Sequence, residues 1–420
     1  MKKTFTLLFV IITLFSLSVN AKGILDDKNN IYSDYVYMVN LDTDKVVYEY
    51  EADTVTYPAS LTKIMTCILA IEHSESLDDT VIIPSGLFDD VYSQGGANIA
   101  LKVGEEISVR DLICATMIRS ACDSASALAY YVSGSVEEFA SLMNKKAEEI
   151  GCTSTHFVNA HGLHDKDHYT TAKDMYIIAK YALQNEIFCD IISQYSGTIP
   201  ATNKSDERNF LSTIEIEIPD SKNYYEYVTG VKSGFTDEAG RCLVTKATKN
   251  GETYLLVTLG ANRDRYYNSN MAFTDAVTLF EYCFAEYDIK TVVSTEVPLT
   301  EISVSNSDIK TLSLYPEEEI TALLPLDYNP TFSFDIPKKI KAPIKEGQVI
   351  GSVTISVDGE EYTTELVSKE KIESLDSKRG LERFNNGNKV ASFLDLSALV
   401  IFLVAIIILA IFILKIRKKR

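Results

Sequence analysis

The sequence predicts an α+β domain followed by a small all-β domain, and three observations carry that prediction. Strand-like alternation stands at both ends of the first 285 residues, at 34–50 and again at 226–234, 241–248 and 253–261. Between them the apolar residues recur with a helical period, at 60–73, 108–133, 136–150 and 171–184. From about 290 onward short alternating runs are punctuated by Asp, Asn, Pro and Gly. Strands at the two ends with helices between them imply one antiparallel sheet assembled from distant segments.

The elements follow in order. Tyr35 to Val39 and Val46 to Tyr48 flank a turn at Asp42-Thr43-Asp44 and read as a hairpin. The four helical patterns come next, then the three strands, then a helix-like stretch at 270–285. Val292-Val293, Ile302-Ser303-Val304, Leu312-Ser313-Leu314 and Val353-Thr354-Ile355 are the short strands of the second domain. The expected organisation is a signal peptide at 1–21, a first domain at 22–287, a β-sandwich-like domain at 288–371 and a polar linker at 372–394. A transmembrane helix at 395–414 and a basic cytoplasmic tail at 415–420 complete it.

Both ends speak to compartment. Lys2 and Lys3, the apolar run Leu7 to Leu17 and the exit Val19-Asn20-Ala21 have the form of a secretory signal. Leu396 to Leu414 is almost wholly apolar, long enough at 1.5 Å per residue to cross the hydrocarbon core, and Lys415, Arg417, Lys418, Lys419 and Arg420 follow it. The expected localisation is therefore a cell membrane, with everything between the two segments outside it. Leaving aside Lys2, Lys3 and those five tail residues, 33 of the 40 basic side chains face 59 acidic ones, a balance of −26. That excludes nucleic acid as a partner on electrostatic grounds. Seven widely spread cysteines form no C-x-x-C pair, so neither a zinc finger nor a redox motif is expected.

The chemistry begins at Ser60-Leu61-Thr62-Lys63, which opens a helical pattern. On a helix Ser60 and Lys63 share a face one turn apart, near the positive end of the helix dipole. A desolvated lysine there can act as the base for a serine nucleophile. Acyl transfer also needs a proton carrier, a cation for a substrate carboxylate and an oxyanion hole. Ser120, in Arg119-Ser120-Ala121-Cys122-Asp123, can relay the proton. Lys232 can hold a carboxylate and Ser233 can hydrogen-bond it, while Gly234 keeps the strand edge open to a substrate. His156, His161, His164 and His168 with Asp165 and Asp167 raise the question of a metal, but the spacing is not H-E-x-x-H and no metal is expected.

These motifs, in this order, resemble those of the serine-type D-alanyl-D-alanine carboxypeptidases, the low-molecular-mass penicillin-binding proteins. The resemblance rests on Pro58 to Lys63, Ser120 to Ala125, Asn159 to Leu163 with His168 to Ala172, and Gly230 to Gly240; it extends more faintly to Ala342 to Gly347 and Val357 to Gly359. It implies a β-lactamase/transpeptidase-like catalytic domain without cofactor. It implies that Ser60 forms an acyl-enzyme with peptidoglycan stem peptides, releasing the terminal D-alanine, and that β-lactams trap the same serine. It further implies an oxyanion hole from the backbone N–H groups of Ser60 and Phe235.

Two positions depart from the family pattern. Cys122 stands where the family has asparagine and offers only weak sulfur interactions, which predicts slower turnover. Ser233 replaces threonine and keeps the hydroxyl. Arg263 and Arg265 are candidates for the arginine that binds the substrate carboxylate in this family, whereas Arg241 more often serves structure. Two alternatives stay open at this point: a serine β-lactamase-like hydrolase, and a penicillin- or muropeptide-binding pseudoenzyme disabled by Cys122.

Overall fold

The computed structural model describes residues 31–261, 270–379, 396–409 and 411. The expected signal peptide, Arg263 and Arg265, most of the linker and the basic tail lie outside the described residues. Contacts divide the chain into two units: the residues up to Ile289 with Leu323–Asp327, and Lys290–Ala322 with the residues from Tyr328 on. Leu323 belongs to the first unit because it is buried in the same core as Val36, Leu256 and Phe280, and Lys45 Nζ donates to its carbonyl at 3.1 Å.

In the first unit β1 (Tyr35–Asn40) and β2 (Val46–Tyr50) form the expected hairpin. The helices are α1 (Lys63–His73), α2 (Asp89–Ser93), α3 (Val109–Cys114), α4 (Cys122–Ser133), α5 (Val136–Glu149), α6 (Ala172–Ala182) and α7 (Glu186–Ile192). Two short ribbons accompany them, β3 (Thr80–Ile82) with β4 (Glu106–Ser108) and β5 (Ser196–Ile199) with β6 (Arg208–Leu211). The long strands β7 (Val228–Thr236), β8 (Gly240–Lys249) and β9 (Glu252–Ala261) precede α8 (Met271–Glu286).

The main sheet runs β2-β1-β9-β8-β7, all antiparallel, so residues some 200 apart in sequence are hydrogen-bonded neighbours. Both faces are buried, which is why the strands alternate between two cores rather than between core and water. Tyr37, Val39, Val244 and Val257 face the core shared with α1, α4 and α6. Val36, Met38, Leu243 and Leu256 face α8. Helix α1 is buried from Lys63 through Ile71, a core helix between layers rather than a surface helix with one apolar stripe. The order leaves β7 at the sheet edge.

One helical pattern, 108–133, is not one helix. After α3 the chain takes a π turn over Ala115–Arg119 and breaks at Ser120, whose φ of 64° is left-handed. Helix α4 starts afresh at Cys122. Apolar residues run through the break, so periodicity does not reveal it.

The second unit holds β11 (Thr300–Ser305), β12 (Thr311–Pro316), β14 (Thr331–Asp335), β15 (Lys339–Lys341), β16 (Val349–Val357) and β17 (Glu360–Ser368) in one sheet, ordered β14-β16-β17-β12-β11-β15. Strands β10 (Tyr287–Val293) and β13 (Ile320–Pro325) pair separately. Ile302, Leu312, Val353, Ile355 and Leu366 make its core. A sheet-rich domain is thus present, and Val293 of β10 lies in the same core while Ile320 of β13 packs against it. Residues 396–409 are helical and exposed, but among the described residues no helix is long and apolar enough to cross a membrane. Positions 410 and 412–414 of the expected span lie outside the described residues.

Candidate active site

Ser60 sits in a 3-10 turn, Ala59–Thr62, that runs directly into α1. The turn starts at Ala59 with φ of 48°, a strained value for a residue with a side chain. Three contacts hold it. Thr62 Oγ1 donates to the Ala59 carbonyl at 2.8 Å. His168 Nε2 lies 2.8 Å from the same Thr62 oxygen, and its Nδ1 accepts from the Val158 N–H, so the ring proton is on Nε2 and points at Thr62. Burial pulls His168 down to about 3, which keeps the ring neutral and that arrangement intact. The third contact is Gly162, where a Cβ would come 1.9 Å from the Ala59 carbonyl oxygen.

Lys63 is fully buried and its Nζ meets three groups: Ser60 Oγ at 2.9 Å, the His161 carbonyl at 2.5 Å and Cys122 Sγ at 3.4 Å. Nζ donates to all three, and its contact with Ser60 Oγ puts the amine within proton-transfer distance of the hydroxyl, as general-base activation requires. The His161 ring is fixed in turn, with Nε2 2.9 Å from Asp90 Oδ2 and Nδ1 accepting from the Leu163 N–H. Burial lowers the His161 ring below its usual range although Asp90 pulls the other way.

Ser120 is nearly buried and its hydroxyl makes no hydrogen bond among the described residues. Its loop is anchored by Asp123, whose carboxylate accepts from the N–H groups of Ile99 and Leu101, while the Cys122 N–H donates to Ala97. Burial raises the Asp123 carboxyl above the usual range.

Strand β7 brings the third motif. Gly234 abuts the nucleophile's turn: a Cβ there would lie 2.8 Å from Ser60 N and 3.1 Å from Ala59 Cβ. Its lack of a side chain thus serves the approach of strand to turn, rather than only the approach of a substrate. Lys232 is fully buried and donates to the Ser233 carbonyl at 2.9 Å. Burial, with Lys63 beside it, pulls Lys232 down to about 7. Ser233 Oγ is 2.8 Å from Thr213 Oγ1, and Glu217 accepts from the Gly230 N–H at the strand's start. The Phe235 side chain is exposed, with the Arg241 guanidinium 4.9 Å from its ring centre.

Thr62, Gly162, Thr213, Glu217 and Asp90 had no role in the sequence reading. Only Gly162 carried a usable signal, a glycine inside the Asn159-Ala-His-Gly-Leu stretch. Among the described residues no group of three or more His, Cys, Asp or Glu is placed to hold a metal ion. His164 stacks edge-on against Tyr57, with ring centres 4.7 Å apart. All seven cysteines are free thiols.

Comparison with known proteins adds the following. Residues 23–263 match the family model of D-alanyl-D-alanine carboxypeptidases, and residues 287–374 match that of the penicillin-binding protein 5 C-terminal domain. D-alanyl-D-alanine carboxypeptidase DacF of Bacillus subtilis is 32% identical over 77% of this chain and 81% of its own length. DacC of Escherichia coli is 30% identical over 75% of this chain and 78% of its own. The crystal structure of DacD from Francisella tularensis shares the fold, with a TM-score of 0.61 at 24% identity over 81% of this chain and 94% of that one.

Proposed function

The chain belongs to the D-alanyl-D-alanine carboxypeptidase family of low-molecular-mass penicillin-binding proteins, and from that membership we propose how its own residues carry the reaction. It is a serine-type carboxypeptidase of peptidoglycan metabolism, and neither alternative reading is favoured by its relatives. Ser60 is the nucleophile. Lys63 takes the Ser60 proton as Oγ bonds to the carbonyl carbon of the penultimate D-alanine of a stem peptide. The backbone N–H groups of Ser60 and Phe235 receive the oxyanion. The C–N bond then breaks, and the proton passes from Lys63 through Ser120 to the departing D-alanine amine. Water cleaves the Ser60 ester, with Lys63 again accepting a proton, and releases the shortened peptide. A β-lactam acylates Ser60 by the same first step.

The observation that supports this reading most is the 2.9 Å contact between Ser60 Oγ and the Nζ of a fully buried Lys63, which the His161 carbonyl and Cys122 Sγ hold in place. Lys232, Ser233, Gly234 and Cys122 frame the substrate. The enzyme is exported by residues 1–21 and held at the membrane by 395–414, a reading supported by the apolar run Leu396 to Leu414 and the five basic residues after it. Release of D-alanine from a pentapeptide ending in D-Ala-D-Ala tests the function. Wild-type protein releases it and Ser60→Ala does not; equal release by both would refute the role of Ser60.

A further inference from the structure

Where its family has an asparagine this chain has Cys122, and the exchange sets a thiol beside the catalytic amine. Lys63 Nζ lies 3.4 Å from Cys122 Sγ, and both side chains are buried. All seven cysteines are free, and the side chain that Sγ meets is an amine rather than a second thiol. Sγ is also 4.0 Å from the Ser120 carbonyl. Ser120 carries a nearly buried hydroxyl that makes no hydrogen bond among the described residues. That spare hydroxyl offers a partner to an oxygen added to the neighbouring sulfur.

The oxidative chemistry of a thiol in this setting has one natural outcome. The site must admit a peptide terminus and then water, so it admits a molecule as small as hydrogen peroxide. Sulfur bonds to one peroxide oxygen, the O–O bond breaks and the other oxygen leaves as water. Sulfur gives up two electrons and becomes a sulfenic acid. A sulfenic acid condenses with a nucleophile in reach, a thiol or a nitrogen. Here the group in contact is Lys63, which must pass through its neutral amine to serve as base. Its lone pair attacks sulfur, an S–N bond forms and the S–O bond breaks. The hydroxyl departs with an amine proton as a second water. The flexible lysine stem closes the gap from contact to bond. A nitrogen so tied can no longer receive the Ser60 proton, whereas an asparagine amide in the same place would leave Lys63 untouched by peroxide.

We propose that Cys122 and Lys63 form a modification site, joined by peroxide in a thiol-reversible S–N cross-link that stops acylation of Ser60. Two equivalents of an external thiol undo it. The first attacks sulfur and releases the amine, and the second frees Cys122 as a small disulfide leaves. The inference rests on Lys63 as the base in the reaction above and gives that site a means of control.

The test uses the full-length protein, reduced, treated with hydrogen peroxide, cleared of it by catalase and labelled with a fluorescent penicillin. Labelling slows about 100-fold, the loss of a general base, and dithiothreitol restores it. Mass spectrometry of the digest finds the Lys63 and Cys122 peptides joined and lighter by two hydrogens than their sum. Cys122→Ser and Cys122→Asn each keep their own untreated rate through the same treatment, while Cys67→Ala stays as sensitive as wild type. Inactivation that persists in both Cys122 variants overturns the proposal. So does a loss that dithiothreitol does not reverse, or oxidised Cys122 with no link to Lys63. A cross-link that forms without slowing the labelling defeats the base assignment of Lys63 as well, whereas reduced protein that labels at Ser60 yet never forms the link defeats this inference alone.

Discussion

His168 and Thr62 are joined side chain to side chain at 2.8 Å across 106 residues of sequence, and through that contact a buried neutral imidazole holds the turn that presents Ser60. Thr62 passes the restraint on, because its hydroxyl donates to Ala59, the residue with left-handed φ just before the nucleophile. Replacing Thr62 by valine keeps the volume and removes both hydrogen bonds. Each typically contributes about 0.5–1.5 kcal/mol, so Thr62→Val should slow acylation by a fluorescent penicillin roughly tenfold. An acylation rate equal to wild type would show that the turn holds itself.

The same imidazole predicts a pH limit on stability. His168 titrates near 3 when folded against 6.5 in an unfolded chain, so the unfolded state binds the extra proton between those values. Its contribution is complete above pH 6.5 and is lost as the pH falls toward 3. Thermal melts of wild type and His168→Gln from pH 4 to 8 should therefore diverge more at pH 8 than at pH 4. A constant difference across the range would contradict this assignment.

Lys232 gives a prediction in the opposite range. Burial and Lys63 draw it down to about 7, so the free enzyme loses that charge as the pH rises past neutrality. The folded protein then carries fewer protons than the unfolded chain between about 7 and 10.5, and stability from this group grows across that window. Binding of an anionic substrate should move the other way. The plot of kcat/KM against pH should fall on its alkaline side from near 7. Lys232→Arg, whose charge does not titrate there, should keep whatever activity it has beyond that limb.

Two glycines should tolerate no side chain. At Gly162 a methyl would sit 1.9 Å from the Ala59 oxygen on a backbone with φ of +78°. At Gly234 it would sit 2.8 Å from Ser60 N, a proposed oxyanion donor. Loss of one such donor costs about 100-fold or more in rate. Gly234→Ala should therefore reduce penicillin acylation by at least that factor while the far-ultraviolet circular dichroism spectrum is kept; rapid labelling of the variant would place the oxyanion hole elsewhere.

Cys122 meets Lys63 at 3.4 Å, in the position where the family has asparagine. A thiol is a weak partner for an amine, and an amide would orient it better. Cys122→Asn should raise D-alanine release about 3- to 10-fold, the equivalent of one improved hydrogen bond. An unchanged rate would mean that Ser60 and the His161 carbonyl already orient Lys63 fully.

The parts of the site legible in the sequence are those made by neighbours in the chain. Ser60 and Lys63 are three apart, Ser120 and Cys122 two apart, and Lys232, Ser233 and Gly234 consecutive, so each motif shows its chemistry locally. The antiparallel sheet made from distant segments was legible as well, from the strand patterns at both ends of the first domain. The supporting contacts were not. Thr62 meets His168, Lys63 meets the His161 backbone, and Ser233 meets Thr213 only after the chain has folded. The break at Ser120 was hidden because a helical period runs through Ala115 and Ala125 alike, and only the left-handed turn between them interrupts it. The buried state of Lys232 was equally out of reach, because a lysine on a strand near glycines reads as exposed until the sheet's second face is known to be covered.

The central claim is that Ser60, activated by Lys63, becomes acylated. Digestion of the penicillin-treated protein followed by mass spectrometry reads it directly. The account predicts a penicilloyl mass increment on the peptide containing Ser60, absent in Ser60→Ala and formed far more slowly in Lys63→Ala. An increment on any other residue, or labelling that survives Ser60→Ala, would contradict it.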